Sequence, residues 1–154
     1  MRKHIAVLCV GLAGIASASL GAASASAAAT DRAERALVEK INRVRADHGL
    51  RQLELSPSLA RSAGRYSWSQ MHRGYFGHAP RIQASSRYRT LGEILAIHAG
   101  ANPLIGFTVS GWMHSAVHTE VVTYDRFRYI GAGRAVGHFG AWGRTTLWTV
   151  QFGN

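Results

Sequence analysis

Three short segments of the sequence carry side chains that could do chemistry. His78 follows a glycine turn, Glu93 lies beside apolar residues, and Ser115 and His118 share the third segment. Two neutral imidazoles can hold Zn²⁺ with water in the open positions. A carboxylate beside them could orient the ligands or accept a proton from the bound water. Taken singly, such residues are more often structural, the histidine as a hydrogen-bonding group and the glutamate as a loop anchor.

Three rival sites use the same or neighbouring residues. His114 and His118 are four residues apart, so a single helix carrying both would present them on one face as metal ligands. Metalloproteases with that spacing have glutamate directly after the first histidine, and Ser115 stands there instead. No Gly-x-Ser-x-Gly elbow surrounds Ser115, which disfavours it as a nucleophile. Glu93 and Glu120 would supply the two carboxylates of a glycosidase, but we expect Glu120 to face solvent or pair with an arginine.

The first 29 residues have the order of a secretory signal peptide. A basic start at residues 1–4 precedes an apolar run over residues 5–20, and small residues with A-x-A matches follow up to Ala29. The strongly apolar part is shorter than the ~20 residues that a membrane span needs. We therefore expect residues 1–29 to be removed, with no transmembrane anchor after processing. The remaining residues 30–154 are expected to form one secreted or envelope-associated domain.

Composition limits the chemistry of that domain. Cys9 is the single cysteine and leaves with the signal peptide, so the remaining chain of about 125 residues has no disulfide and no thiolate ligand. The net charge of +10 falls to +8 when Arg2 and Lys3 are removed. A secreted chain this basic is attracted to anionic cell-wall polymers or lipid headgroups. Its arginines form no block, so we expect no dedicated nucleic-acid function.

The elements that must position these side chains begin with two helices. Thr30 is expected to start the first helix, with Glu34 completing a capping box and Gly49 ending it. Ser56 with the following proline opens the second helix, and Gly74 stops it. Apolar residues three and four positions apart predict the buried faces of the two helices: Leu37, Ile41 and Val44 in the first, and Leu59, Ala63 and Tyr66 in the second.

The rest of the chain changes from loop to helix to strand. Residues 77–90 are polar with glycine, proline and paired serines, which indicates a long loop. A third helix is expected from Asn102, and a short fourth helix over residues 117–122. Residues 128–136 and 145–152 predict strands joined by a turn, and helices followed by strands indicate a layered α+β domain. The third helix offers three side chains to the core: Leu104, Phe107 and Trp112.

Eight segments follow one another in a specific order and spacing: residues 37–45, 49–50, 53–60, 76–78, 92–95, 112–118, 126–133 and 148–153. In this order they resemble the bacterial members of the CAP superfamily, the group of cysteine-rich secretory proteins, antigen 5 and pathogenesis-related proteins. The similarity covers roughly Glu34 to Gly153. It implies a three-layer α-β-α sandwich with a cleft in which two histidines and acidic residues meet. Some members of the superfamily bind zinc or another divalent metal in that cleft.

Residue by residue, the resemblance assigns a ligand-binding cleft to this chain. His78 and His118 match the two histidines and are the implied metal ligands for zinc or another divalent metal. Glu93 matches the first acid and is the candidate catalytic residue. Ser115 stands where the eukaryotic pattern has its second acid. Isoleucine and threonine also replace an asparagine and an arginine of the bacterial pattern at positions 94 and 119.

Two functions remain open at this point. A hydrolytic zinc site has three protein ligands as a rule, and Glu93 would lose its freedom as a base if it became the third. A binding module for a cell-envelope ligand, whether a lipid, a glycan or a wall polymer, is therefore favoured. The alternative is a metal-dependent hydrolase that acts on peptide or wall material through the same cleft.

Overall fold

The computed structural model describes residues 18–154, with side chains described from Arg32 onward. Residues 1–17, which form more than half of the predicted signal peptide, lie outside the described residues. Within the described part, no helix is long and apolar enough to cross a membrane. The helices and strands follow in this order: α1 (Ala18–Asp47), β1 (Glu54–Leu55), α2 (Pro57–Arg73), β2 (Leu91–Ala99), α3 (Ile105–Met113), α4 (Ala116–Val122), β3 (Tyr129–His138) and β4 (Arg144–Gly153).

The four strands form one mixed sheet in the order β1-β3-β4-β2. The short strand β1 pairs with β3 in parallel, and the other two pairs of neighbours are antiparallel. β2 pairs only with β4, so it forms one edge of the sheet. In this register Glu93 lies opposite Gln151.

Helix α2 covers one face of the sheet. The backbones of α2 and β3 touch, because a Cβ on Gly131 or Gly133 would overlap the backbone of α2 near Ala60 and Gly64. Glycine is therefore required at these two positions of β3 for the helix to approach so closely. A small apolar cluster lies at the C-terminal end of α2. It consists of Met71, Phe139 and Leu147, with Ile97 and Ala135 packed against it.

Helices α1, α3 and α4 cover the opposite face. Successive side chains of a strand point to opposite faces, and the even-numbered residues of β2, β3 and β4 meet these helices. The resulting main core contains the following buried side chains: Leu37 and Ile41 of α1, Val109 and Trp112 of α3, Val122 of α4, and Ile94, Ile130, Ala132, Trp148, Val150 and Phe152 of the sheet. The predicted three-layer α-β-α arrangement is confirmed.

The start of α1 differs from the prediction. The helix is continuous from Ala18 to Asp47, so Thr30 is not an N-cap in this chain. The residues before Thr30 are mostly alanine, which has the highest helix propensity, and the helix continues through them. Glu34 does not complete a capping box; its Oε1 accepts a hydrogen bond of 2.8 Å from the backbone N–H of Arg134 on β3.

The second helix follows its predicted limits. The Ser56 hydroxyl accepts from the Leu59 N–H at 3.3 Å, Pro57 is the first helical residue, and Gly74 ends α2 with a φ of 60°.

In the third helix the prediction of which side chains enter the core was partly wrong. Trp112 is buried, but Phe107 is 72% exposed and Leu104 precedes the helix, which begins at Ile105.

Strands β3, β4 and helix α4 confirm the predicted strands and fourth helix within two residues at each end. Strand β2 was missed. Its sequence, Leu91 to Ala99, has neither clear alternation nor many β-branched residues, and an edge strand buries only part of each face. The missed strand matters because it carries Glu93.

Candidate functional site

Glu93 is a buried anchor of the loop between α2 and β2, residues 74–90. Its side chain is only 5% exposed, and both carboxylate oxygens are engaged. Oε1 accepts from the backbone N–H of Ala79 at 3.0 Å and lies 3.1 Å from Nδ1 of His78. Oε2 accepts from the side-chain amide of Gln151 at 2.8 Å. The carboxylate therefore joins the loop to two strands of the sheet.

Two further side chains of α2 fix the turn before His78. The Tyr66 hydroxyl donates to the carbonyl of Gly77 at 2.7 Å, and the N–H of Gly77 donates to Oε1 of Gln70 at 3.1 Å. Burial raises the pKa of the Tyr66 hydroxyl, and the charge of Glu93 adds to the effect. These bonds hold His78 at the edge of the sheet while its side chain remains 63% exposed.

Ser115 and His118 form a second pair at the junction of α3 and α4. Ser115 has an extended backbone at the start of α4, with φ −115° and ψ 119°. Its hydroxyl lies 2.9 Å from Nδ1 of His118. Thr119, the second departure from the bacterial pattern, donates its hydroxyl to the carbonyl of Met113 at 3.2 Å and so holds α4 against the end of α3.

The rival metal site at His114 and His118 is contradicted by this junction. Helix α3 ends at Met113 and α4 begins at Ala116, so the two histidines do not share the face of one helix. His114 is exposed, and its Nδ1 lies 2.8 Å from the carbonyl of Ser110. Glu120 is also exposed, as predicted.

A cavity of about 320 Å³ lies along the free edge of β2, between that strand and helices α3 and α4. We call it the edge cavity. Apolar side chains make most of its wall, and the polar residues in it include both members of the second pair. Its lining residues are Phe76, Leu95, Ala96, Ile97, His98, Phe107, Thr108, Gly111, Trp112, Ser115 and His118.

The four predicted cleft residues are thus brought together as two pairs. Ser115 and His118 line the edge cavity, whereas His78 and Glu93 do not. His78 and Glu93 are nevertheless close in sequence to the wall of this cavity. His78 is two residues from Phe76, and Glu93 is two residues from Leu95, and both of these neighbours line the cavity. The cleft of this chain is an apolar cavity with one polar pair in its wall and the other pair nearby.

The predicted metal ligands do not make a complete metal centre. Among the described residues, no three histidine, cysteine, aspartate or glutamate side chains are placed to hold a metal ion together. The Nδ1 atoms of His78 and His118 face Glu93 and Ser115, and three donors occupy the Glu93 carboxylate. This donor set does not fit a hydrolytic zinc site with three protein ligands. Zinc at His78 and His118 stays a prediction.

Sequence reasoning missed the partner of Glu93. Gln151 is completely buried on β4, and its amide holds the carboxylate across the sheet. The signal that could have found it was a glutamine within the otherwise apolar end of a predicted strand, because a buried amide must find hydrogen-bond partners. The sequence does not show which partner it finds.

The two helical layers, the mixed sheet and the cleft at its edge define an α-β-α sandwich of the class that the sequence resembles. The family model that matches is CAP, the Cysteine-rich secretory protein family, over residues 38–152. The chain belongs to this family.

A relative matches this chain in sequence at low identity. The uncharacterized protein YkwD of Bacillus subtilis is 27% identical over 128 residues, which cover 77% of this chain and 46% of YkwD. The chain therefore spans about half the length of that relative.

Solved structures of other proteins align with the fold of this chain. An outer surface protein of Borrelia burgdorferi aligns with a TM-score of 0.64 at 20% identity, over 78% of this chain and 90% of its own. An extracellular protein with an SCP domain from Bacillus anthracis aligns at 0.65 and 17% identity, over 81% of this chain and 41% of its own. Venom allergen-like protein 4 of Schistosoma mansoni aligns at 0.61 and 15%, over 79% and 87%.

Proposed function

We propose that this protein is a secreted binding module that takes part of a cell-envelope ligand into the edge cavity. The observation that carries the proposal is the contrast between the two halves of the cleft. The edge cavity is open and apolar, whereas the one predicted catalytic acid, Glu93, is buried and held by three hydrogen bonds. The signal-like N-terminus supports export, and similar proteins are named as extracellular or outer surface proteins.

The size and walls of the edge cavity favour binding. Small-molecule sites are concave and mostly apolar, with volumes of about 300–1,000 Å³ and a few polar groups that fix orientation. At about 320 Å³ the edge cavity falls at the lower end of that range. It suits one apolar part of a larger molecule, such as a lipid chain, with the rest of that molecule outside.

The acid that the hydrolase alternative assigns as its base, Glu93, is already engaged in the described structure. A general base must reach the proton that it removes, and the Glu93 oxygens already accept three hydrogen bonds. Ser115 and His118 are bonded to each other, but no contact in the described part of the chain joins His118 to a carboxylate. A serine nucleophile that relies on histidine as its base normally needs such an orienting group.

The net charge gives the proposed ligand a second feature. A mature chain with a charge of +8 is attracted to anionic surfaces at long range, and salt screens that attraction. We therefore expect an anionic envelope component outside the cavity and an apolar part within it. Binding to such a component weakens as ionic strength rises.

Helix α3 offers a matched pair of variants for the test. Gly111 lines the edge cavity, Gly106 lies on the same helix outside it, and a Cβ at either position would meet nothing within 4 Å. Phenylalanine at Gly111 fills cavity space, whereas phenylalanine at Gly106 adds the same side chain elsewhere. Both variants remove a glycine from a helix, so neither is expected to unfold the protein.

The assay incubates the wild type, Gly111→Phe and Gly106→Phe with extracted envelope lipids and with soluble wall fragments, followed by native mass spectrometry. We expect the wild type and Gly106→Phe to retain a ligand and Gly111→Phe to lose at least tenfold in occupancy. Equal occupancy in all three proteins would contradict the proposal. Release of peptides from casein or of fragments from peptidoglycan by the wild type would favour the hydrolase.

A further inference from the structure

We infer that a groove between α2 and the 74–90 loop binds a linear anionic polymer of the cell envelope. Helix α2 covers the face of the sheet opposite α3 and α4, so this groove is separate from the edge cavity. The inference rests on the proposed function for its setting in the envelope. It gives the anionic contact that we expect outside the cavity a place on the surface.

The positive charge of the chain is concentrated in one stretch. Between Ser56 and Gly92 there are six arginines and no aspartate or glutamate, which accounts for +6 of the mature charge of +8. All six are exposed, and within the described part of the chain none makes an ion pair with a carboxylate. They form no run in the sequence but lie on α2 and the loop that follows it: Arg61, Arg65, Arg73, Arg81, Arg87 and Arg89.

Two adjacent depressions between the helix and the loop form the groove. One has a volume of about 200 Å³ and is lined by Arg65 and Arg81, and the other has about 190 Å³ and is lined by Arg73. Tyr66 and Ser69 line both depressions, so the two share a wall. None of the described residues that line them is an aspartate or a glutamate. A cleft lined by one sign of charge focuses the potential and attracts the opposite charge.

One carboxylate lies beneath this groove. Glu93 accepts from the Ala79 N–H and from the Gln151 amide, and both of these residues line the first depression. The Glu93 side chain is only 5% exposed, and its single charge is outnumbered by the three guanidinium groups in the walls. The groove therefore keeps a net positive charge.

The spacing of the arginines indicates a polymer and not a single small anion. Arg61 and Arg73 are twelve residues apart on α2, which corresponds to about 18 Å along the helix axis. Each guanidinium can bind a phosphate or a carboxylate through two parallel hydrogen bonds. A small anion reaches one or two of these groups, whereas a chain of charges along α2 reaches all of them, and linked contacts raise the affinity. A flat bilayer or a DNA duplex touches only the rims of a groove.

The test measures the binding of long-chain inorganic polyphosphate by calorimetric titration. Arg73→Gln combined with Arg81→Gln removes two charges from the groove and breaks no ion pair. Arg51→Gln combined with Arg126→Gln makes the same change in net charge elsewhere, since the Arg51 carbonyl accepts from Arg45, which also bonds to the end of α4. All four substituted residues are exposed, so neither double variant is expected to unfold the protein.

We expect the groove variant to raise the polyphosphate dissociation constant at least about tenfold, and the control variant to raise it less than about threefold. The dependence of binding on salt gives a second readout that a structural role would not change. The slope of log affinity against log salt concentration should become shallower by about 1.4 in the groove variant, at about 0.7 for each lost contact.

Several outcomes would overturn the inference. Equal weakening of the two double variants would show that only net charge matters. Orthophosphate that binds as tightly as polyphosphate at equal total phosphate would indicate a small anion. Tighter binding to phosphatidylglycerol vesicles or to duplex DNA would indicate a membrane or a nucleic acid, and no binding of polyphosphate would remove the site. Polyphosphate has no apolar part to enter the edge cavity, so these results leave the proposed function standing, and the Gly111→Phe assay tests that function separately.

Discussion

Removal of the Glu93 carboxylate is expected to release the 74–90 loop from the sheet. In Glu93→Ala, the Ala79 N–H and the Gln151 amide both lose their acceptor, and Gln151 is completely buried. Each unsatisfied buried group costs about 1–3 kcal/mol, so we expect a loss of about 3 kcal/mol in the free energy of unfolding of the loop. His78 adds little, because its exposed ring can bond to water.

Glu93→Gln keeps the shape of the glutamate side chain but removes its charge. The new amide oxygen can still accept from Ala79, and its NH₂ group would then face Gln151. The Gln151 amide can rotate to accept that NH₂ group, because its Oε1 atom has no partner among the described residues. Only the charge assistance of the bonds is lost, so we expect a cost of about 1 kcal/mol.

Limited trypsin digestion measures the opening of the loop, which carries three exposed cleavage sites at Arg81, Arg87 and Arg89. When opening is fast and reversible, the cleavage rate follows the open population. A cost of about 3 kcal/mol corresponds to a rise of about a hundredfold for Glu93→Ala, and about 1 kcal/mol to about fivefold for Glu93→Gln. Glu120→Ala, an exposed control, should stay near the wild type. Unchanged cleavage of Glu93→Ala would refute the structural role of this carboxylate.

Three further predictions concern other parts of the molecule. Arg45→Met should lower the free energy of unfolding by about 3 kcal/mol in urea titration, because the buried guanidinium donates to the carbonyls of Arg51, Val122 and Tyr124. Gly133→Ala should cost at least about 2 kcal/mol in the same assay, because its Cβ overlaps the backbone of α2. In equilibrium dialysis the protein should bind zinc only weakly, and a variant with His78 and His118 both changed to alanine should not bind it.

Control variants accompany the two stability predictions, and each of the three predictions has an outcome that would contradict it. Arg43→Met changes an exposed arginine of the same helix and should be nearly neutral. Gly106→Ala adds a methyl group where nothing lies within 4 Å and should not destabilise. If Arg45→Met is as stable as its control, the hydrogen-bonding argument is wrong. If Gly133→Ala is as stable as its control, the packing argument is wrong. One zinc ion per chain retained through gel filtration would contradict the weak site.

The elements that the sequence predicted well are those whose limits are set by local chemistry. Helix α2 is capped by Ser56, begins at Pro57 and is terminated by Gly74, and each of these signals acts within one turn. The last strand is dense in β-branched and aromatic residues. By contrast, β2 depends on its pairing with β4, and Phe107 is exposed although its spacing fitted a buried face. Those outcomes depend on contacts between distant segments, which periodicity does not contain.

The same distinction separates the identity of the site residues from their roles. The order of motifs predicted that His78 and Glu93 belong to one site, and the two lie 3.1 Å apart. It could not predict that Gln151, 58 residues after Glu93 in the sequence, would occupy the second carboxylate oxygen. A glutamate that accepts hydrogen bonds at both oxygens anchors structure, whereas the same glutamate with one free oxygen could act as a base.

Ser115 shows why the apolar part of the edge cavity, more than the residues matched to the family pattern, should decide what binds. At the position where the resemblance implies a second acid, a hydroxyl holds the ring of His118 and brings no charge into the cleft. Both oxygens of Glu93 are engaged as well. A fold of this kind does not settle function by itself. What distinguishes one ligand from another is then the apolar wall of the edge cavity.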